Sequence, residues 1–399
     1  MNLEAKSLST ETMVLNFGPS HPATHGTLRV VMELDGEVVT NVAPEIGFLH
    51  CGFEKLAEHL DFNQYITVTD RMNYISPMCN NVAFALSAEK LLGIEVPKRA
   101  QYIRVFMCEL SRIADHLVQI GMQAVDIGAF TVFLYGFRLR ERIYDLFEMV
   151  CGARLTTSYT RVGGLMRDLP DTFMPAAGDL LDKVPDTINE IDGLLTHNRI
   201  WLDRTRNIGP ISHDDAISYG LTGPIARAAG VDYDLRVKEP YSSYEDFDFD
   251  VIIGQNGDVY DRYLMRMYEM RESLKICRQV LEKLPAGPVN VDAESKYILP
   301  PRPEVFNSIE GLIHHFMVTM ENQGFTPPVG EAYIPTESPN GELGYFIVSD
   351  GRREPYRVRT RPPSLVNYSA FPKMMENMMV SDAVAILGSL NVIAGELDR

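Results

Sequence analysis

Two histidines four residues apart are the first residues of this chain with evident chemistry. His21 and His25 sit in Gly18-Pro19-Ser20-His21-Pro22-Ala23-Thr24-His25-Gly26. Prolines fix φ and glycines let a backbone approach another surface closely, so this loop is a stiff mount for two imidazoles. Imidazole exchanges protons near neutrality, which suits a proton donor to a ligand. The pair reads equally as a surface turn. Metal ligation finds no support, because no cysteine and no acid stands nearby at clear ligand spacing. A second feature is Asp126, the single charge between Leu117 and Phe137. A carboxylate taken from water needs a partner. It either caps a helix beginning near Gly128 or orients an imidazole and stabilises its charged form. Tyr74, in Asp70-Arg71-Met72-Asn73-Tyr74, is either a core aromatic or a phenol donor to a ligand carbonyl. Cys51-Gly52 is half of a Cys-Gly-x-Cys metal motif, with Glu54 where the second cysteine would stand. A lone thiol is most often a small buried residue.

The elements that must hold these residues follow from periodicity. Alternation predicts strands over 12–17, 27–34 and 37–42, with Asp35-Gly36 as a hairpin turn, so the histidine loop lies between two strands. Ile103, Phe106, Met107, Leu110, Ile113, Leu117 and Ile120 recur at helical steps after Pro97. Further helices are expected over 76–92, 130–150, 178–197, 258–284 and 303–320, forming a long-helix core of bundle type. The proline-rich stretch 286–303 reads as a linker or surface crossing. Strands follow over 331–337, 342–349 and 355–361, then short helices over 372–379 and 382–388. The fold class is therefore α+β, mainly α. Residues 1–50 form an N-terminal β region, 51–285 a helical core, and 286–399 a linker with C-terminal strands and short helices.

Composition narrows the function. The chain has 399 residues, 45% apolar and 23% charged, as a globular protein does. Its 37 basic and 54 acidic residues give a net charge of −17, which argues against a general binder of nucleic acid or anionic lipid. Five cysteines with no Cys-x-x-Cys pair argue against a disulfide scaffold and against a self-contained zinc or iron–sulfur site. The start, Met1 to Lys6, has no apolar signal core. The stretch 117–137 contains Gln119, Gln123 and glycines at 121, 128 and 136, a poor lipid-facing span. Arg352, Arg353, Arg357, Arg359 and Arg361 make a basic face that is either solvated or a partner surface, and the acidic, aromatic loop 241–250 has the same two readings. His314-His315 reads as packing or surface, and the charges of 258–272 as inter-helix ion pairs.

Taken together, these pieces resemble the D subunit, or 49-kDa-type subunit, of NADH:quinone oxidoreductase (respiratory complex I). The resemblance rests on the histidine loop, Gly52-Phe53-Glu54-Lys55, Arg99-Ala100-Gln101-Tyr102-Ile103-Arg104-Val105, Asp126-Ile127-Gly128-Ala129, Arg161-Val162-Gly163-Gly164, Tyr260-Asp261-Arg262, His314-His315-Phe316, Val348-Ser349-Asp350-Gly351 and Gly395-Glu396-Leu397-Asp398-Arg399. That family is related to the large subunit of nickel–iron hydrogenases, which hold metal with a Cys-x-x-Cys pair near each end. Here only Cys51 remains, so the resemblance implies a lost nickel site and no bound metal, with quinone in the old cavity.

The resemblance further implies roles. His25 and Tyr74 match the quinone head-group ligands and Asp126 the buried partner of that histidine. His21, Pro22, Thr24 and Gly26 belong to the quinone-binding loop. Arg71, Cys51 and Thr156 match positions near an iron–sulfur cluster of a neighbouring subunit. The implied substrate is ubiquinone or menaquinone, with NAD and the clusters bound by other subunits. The implied partners are the B and C subunits and the H subunit at the membrane, on the cytoplasmic side of a bacterial plasma membrane, with electron transfer coupled to proton translocation. Cys51 stands where many relatives have Arg, and Thr156 where many have His. Both departures imply a cluster of lower potential with weak pH dependence, and hence menaquinone; a strongly pH-dependent cluster midpoint would contradict this. The same subunit in a ferredoxin-fed complex, a hydrogenase-type subunit and a non-catalytic scaffold are the alternatives.

Overall fold

The computed structural model describes residues 12–292, 297–320 and 324–399. The stretch read for a signal and part of the proline-rich linker lie outside the described residues.

Strands β1 (Met13–Phe17), β2 (Arg29–Asp35) and β3 (Val38–Glu45) form an antiparallel sheet in chain order. Asp35 pairs with Val38, so Gly36, at φ 65°, and Glu37 close the tight hairpin that Asp35-Gly36 announces. Alternation puts Val30, Met32 and Leu34 on the buried face, against the aromatic and aliphatic side chains of residues 368–390. The histidine loop spans β1 to β2, as expected.

The centre is helical. After α1 (Phe62–Thr69) and α2 (Pro77–Leu92) come α3 (Lys98–Asp126) and α4 (Phe130–Cys151). These two pack with α5 (Phe173–Leu195) and α6 (Val259–Lys283) as a bundle around one continuous apolar core. Glycines explain why the stretch 117–137 looks so apolar. A Cβ at Gly121 would stand 3.2 Å from Phe133 Cα, and one at Gly136 would stand 3.2 Å from Leu117 O. The two helices touch backbone to backbone there. Asp126 is the last residue of α3 and caps nothing: α4 begins after Ala129 with no side-chain cap. No helix among the described residues is long and apolar enough to cross a membrane.

The expected helix over 303–320 is two, α7 (Arg302–Asn307) and α8 (Ile309–Thr319), because Ser308 leaves the helical conformation and accepts the Gly311 N–H as an N-cap. Strands β4 (Gly330–Ser338), β5 (Gly341–Ser349) and β6 (Arg357–Arg361) form a second antiparallel sheet. Short helices α9 (Pro363–Tyr368), α10 (Phe371–Met375), α11 (Ala383–Leu390) and α12 (Ala394–Asp398) finish the chain.

The bundle and the second sheet meet through buried charge. Arg227 donates to Glu269 of α6 and to Glu337 of β4; beside this link Arg236 joins Asp234 to Glu109 of α3, and within the helical layer Arg104 of α3 donates to Glu89 of α2. The charges of 258–272 behave less uniformly than expected. Glu269 pairs with Arg227 and His116, but Arg262 and Arg266 grip carbonyls and a hydroxyl instead of acids. The basic face is also spent within the chain: Arg357 meets Glu58 at 3.0 Å, Arg359 meets Glu54 and Arg361 meets Glu342 at 3.4 Å each. The loop 241–250 is tied inward, with Tyr244 donating to buried Glu109 at 2.7 Å.

Candidate active site

The loop 18–26 takes its shape from two of its own side chains. Thr24, fully buried, donates to Pro19 O at 3.1 Å and to His21 O at 2.9 Å. His21 caps the single 3-10 turn Pro22–Thr24: its Nδ1 accepts the Ala23 N–H at 3.2 Å, and its ring packs on Phe17 with centroids 4.3 Å apart. Gly18, at φ +83°, passes so close to β2 that a Cβ would stand 2.3 Å from Leu28 O. His25 ends the turn at φ 52° and projects from this braced base.

His25, Tyr74 and Asp126 line one cavity of about 230 Å³. They come from the β1–β2 loop, the segment after α1 and the end of α3. Ala23 and Thr27 join His25 from its loop. His21, Pro22, Thr24 and Gly26 of the same loop do not line it; Thr24 is buried, while Pro22 and Gly26 are exposed. A larger groove of about 370 Å³ beside α1 and residues 161–166 holds none of these candidates.

Three polar residues of the wall carry no site role in the sequence: Gln119 and Gln123, which there only mark 117–137 as a poor lipid-facing span, and Asn391. Gln119 and Gln123 precede Asp126 by seven and three residues on α3, so one helix face carries all three. That spacing is visible in the sequence; its meaning needs the opposite wall. α11 and the residues after it supply that wall. Gln119 donates to Gly388 O at 2.8 Å and to Gln123 Oε1 at 3.0 Å. A Cβ at Gly388 would stand 3.7 Å from Asp126 Oδ2. Arg262 and Arg266 of α6 fix this wall from behind, donating to Ser389 Oγ at 2.9 Å and Ser389 O at 2.8 Å.

Electrostatics follow from this half-dry setting. Burial raises Asp126 above the usual carboxylate range, while His25 first and His21 second pull it down. Burial also raises the Tyr74 phenol, helped by Glu396 and Asp115 and opposed by the Ala394 backbone. Tyr74 is thus held as a hydrogen-bond donor, and Asp126 as a carboxyl whose charge follows that of the facing histidine. The cavity offers an imidazole, a phenol donor and a carboxyl on its walls, the kinds of group that delivering protons to an acceptor requires.

The remaining candidates sit on an exposed lip. Cys51, Arg71 and Thr156 are all exposed. The segments that carry them are knitted together. Asp70 accepts from the Ser158 hydroxyl and backbone, Gly52 N donates to Arg399 O at 3.1 Å, and Gly395 packs on the Arg71 carbonyl. All five cysteines are free, and no cluster of three or more metal-ligating side chains occurs among the described residues.

Comparison with known proteins decides the family. The model of the respiratory-chain NADH dehydrogenase 49-kDa subunit matches residues 126–399. The D subunit of the NADH-quinone oxidoreductase of Geotalea uraniireducens is 54% identical over 391 residues, 98% of this chain and all of the relative. This chain belongs to the 49-kDa subunit family. The corresponding D subunit of Citrifermentans bemidjiense is 53% identical over 392 residues, again 98% of this chain and all of the relative, and that of Methylacidiphilum infernorum is 51% identical over 389 residues, covering 98% and 92%. A member of the 49-kDa family is one subunit of an oxidoreductase and acts within the assembled complex. The full-length relatives also span the histidine loop and Tyr74, which precede the region matched by the family model.

Proposed function

We propose that this chain is the quinone-site subunit of a proton-pumping NADH:quinone oxidoreductase, and that the head group is reduced in the cavity of His25, Tyr74 and Asp126. The observation that carries this reading is the convergence of those three residues, far apart in sequence, on one small cavity. At about 230 Å³ it falls below the roughly 300–1,000 Å³ of sites that enclose a drug-sized ligand, so it suits a ring rather than a whole isoprenoid quinone.

Quinone reduction takes two electrons and two protons. The electrons come from an iron–sulfur cluster of the neighbouring B subunit, which the lip of Cys51, Arg71 and Thr156 would face. Tyr74 donates a hydrogen bond to one quinone oxygen and His25 to the other, and these bonds strengthen as negative charge develops on the oxygens. Asp126 stabilises the charged imidazole before transfer and is left facing a neutral one after it. That change in charge is the local event by which reduction biases the C and H subunits and, through them, proton translocation. The docked position is peripheral, on the cytoplasmic side of the membrane.

Replacing Tyr74 with Phe keeps the ring and removes the donor. In the assembled complex, NADH:quinone activity should fall by at least about 10²-fold, the low end for loss of a general acid, while NADH:ferricyanide activity stays intact. Undiminished quinone reduction would favour a scaffold role.

A further inference from the structure

Glu396 is a buried acid that the reading above leaves unused. It is 1% exposed, in α12. Gly395 makes its placement possible: α12 is pressed so closely on the Tyr74 segment that a Cβ at Gly395 would stand 2.5 Å from Arg71 O and 2.6 Å from Met72 O. Tyr74 lies near enough to α12 to be influenced by the Ala394 backbone and by Glu396, the carboxyl raising the phenol. Ser364 Oγ donates to Glu396 Oε2 at 2.7 Å, and the Asn73 amide faces the same carboxyl. Oε1 meets no partner at hydrogen-bonding geometry, which leaves it as the atom to carry a proton.

The surroundings favour that proton. Burial is the largest influence on Glu396 and pushes it up to about 7, against the Ser364 hydrogen bond and the facing Asn73 amide. The one charge among its strongest influences is Asp115 of α3, an anion, which raises it further. Asp115 is itself buried and raised, and Asn391 of the cavity wall reaches it at 2.6 Å. The other titratable groups facing Glu396 are Tyr74 and, from β5, Tyr345; both feel it as a neighbouring negative charge.

We propose that Glu396 is the proton reserve for Tyr74, a positioning acid behind the cavity that returns a proton to the tyrosine after it has given one to quinone. The proposal rests on the quinone reading of the cavity. In the first step the Tyr74 O–H bond breaks as an O–H bond forms on the quinone oxygen, which has received its electrons from NADH through the neighbouring subunit. In the second, the Glu396 O–H bond breaks, the Tyr74 O–H bond re-forms, and the carboxylate takes a proton from solvent. A carboxylic acid gives its proton to a phenolate downhill, since phenol is the weaker acid by several powers of ten. A phenolate left beside other buried anions is costly, so prompt return of the proton is favoured.

The test uses the assembled complex, with NADH:quinone and NADH:ferricyanide activities followed from about pH 5.5 to about pH 9, spanning the acid's titration. Glu396→Gln should lower kcat for quinone roughly tenfold, less than loss of a direct donor, and erase the inflection near neutrality. The KM for quinone and the ferricyanide rate should not change, and Glu396→Asp should restore part of the rate. A wild-type rate and inflection in Glu396→Gln overturn the proposal. Ser364→Ala removes a bond that favours the carboxylate, so it should move the inflection to higher pH. If Glu396→Gln fails to assemble, this second variant decides, and an unmoved inflection overturns the proposal. Tyr74→Phe separates the two claims. If it keeps full quinone activity, the cavity reading is what fails; if it loses activity while Glu396→Gln does not, only the reserve fails.

Discussion

Asp126 shows how one residue couples burial to chemistry. Its carboxyl is half-buried, so its proton leaves at higher pH than from an exposed acid, and the two histidines oppose that shift. As pH falls through this raised value the carboxyl becomes neutral, and the anion facing His25 disappears. Quinone reduction should therefore fall on the acid side as Asp126 protonates. Asp126→Asn, neutral at every pH, should lose that acid limb and run at least about tenfold slower on the plateau where the wild type has its anion. A variant that keeps both the acid limb and the plateau rate would show that the histidine, and not its partner, sets the profile. The same scale shows which histidine works where. His21 spends Nδ1 on the Ala23 N–H, whereas His25 lines the cavity.

The elements explain what the sequence could and could not show. Each of the two three-stranded sheets announces itself through alternation and turn residues, and the bundle through its three- and four-residue steps. Asp126 and His25 stand out locally, as a lone charge and as part of a stiff histidine loop, whereas Tyr74 reads locally as a core aromatic and only the family resemblance singles it out. The opposite wall is illegible. Asn391 and Gly388 become wall residues only because Arg262 and Arg266 hold α11 against α3, and such a contact between distant segments leaves no periodic trace. The break of 303–320 at Ser308 is similarly hidden, since an N-cap serine inside an apolar helix pattern does not interrupt the pattern. Helix contact also carries a stability consequence. α3 and α4 approach through Gly136, whose nearest foreign atom is the Leu117 carbonyl, a backbone group that cannot rotate away. Gly136→Val should cost about 1–3 kcal/mol through forced separation, read as a lower thermal midpoint of the complex. An unchanged midpoint would mean that the helices part without penalty.

At the scale of the whole molecule, buried charge and a small cavity share one scaffold. The Arg227–Glu269–Glu337 group fastens bundle to sheet and the Arg236–Asp234–Glu109 group ties the 234–236 segment to α3, and removing one partner of such a set is far costlier than never having built it. Glu269 also meets His116, whose neighbour on α3 is Asp115, so the fastening reaches the back of the cavity wall. The central claim is that quinone enters this cavity, and labelling tests it most directly. An azidoquinone bound to the intact complex and activated by light should attach to peptides carrying Val118 and Met122 or Leu387 to Ile393, which line the cavity, and excess quinone should suppress that attachment. Labelling confined to other peptides or other subunits, with these two segments untouched, would contradict the account.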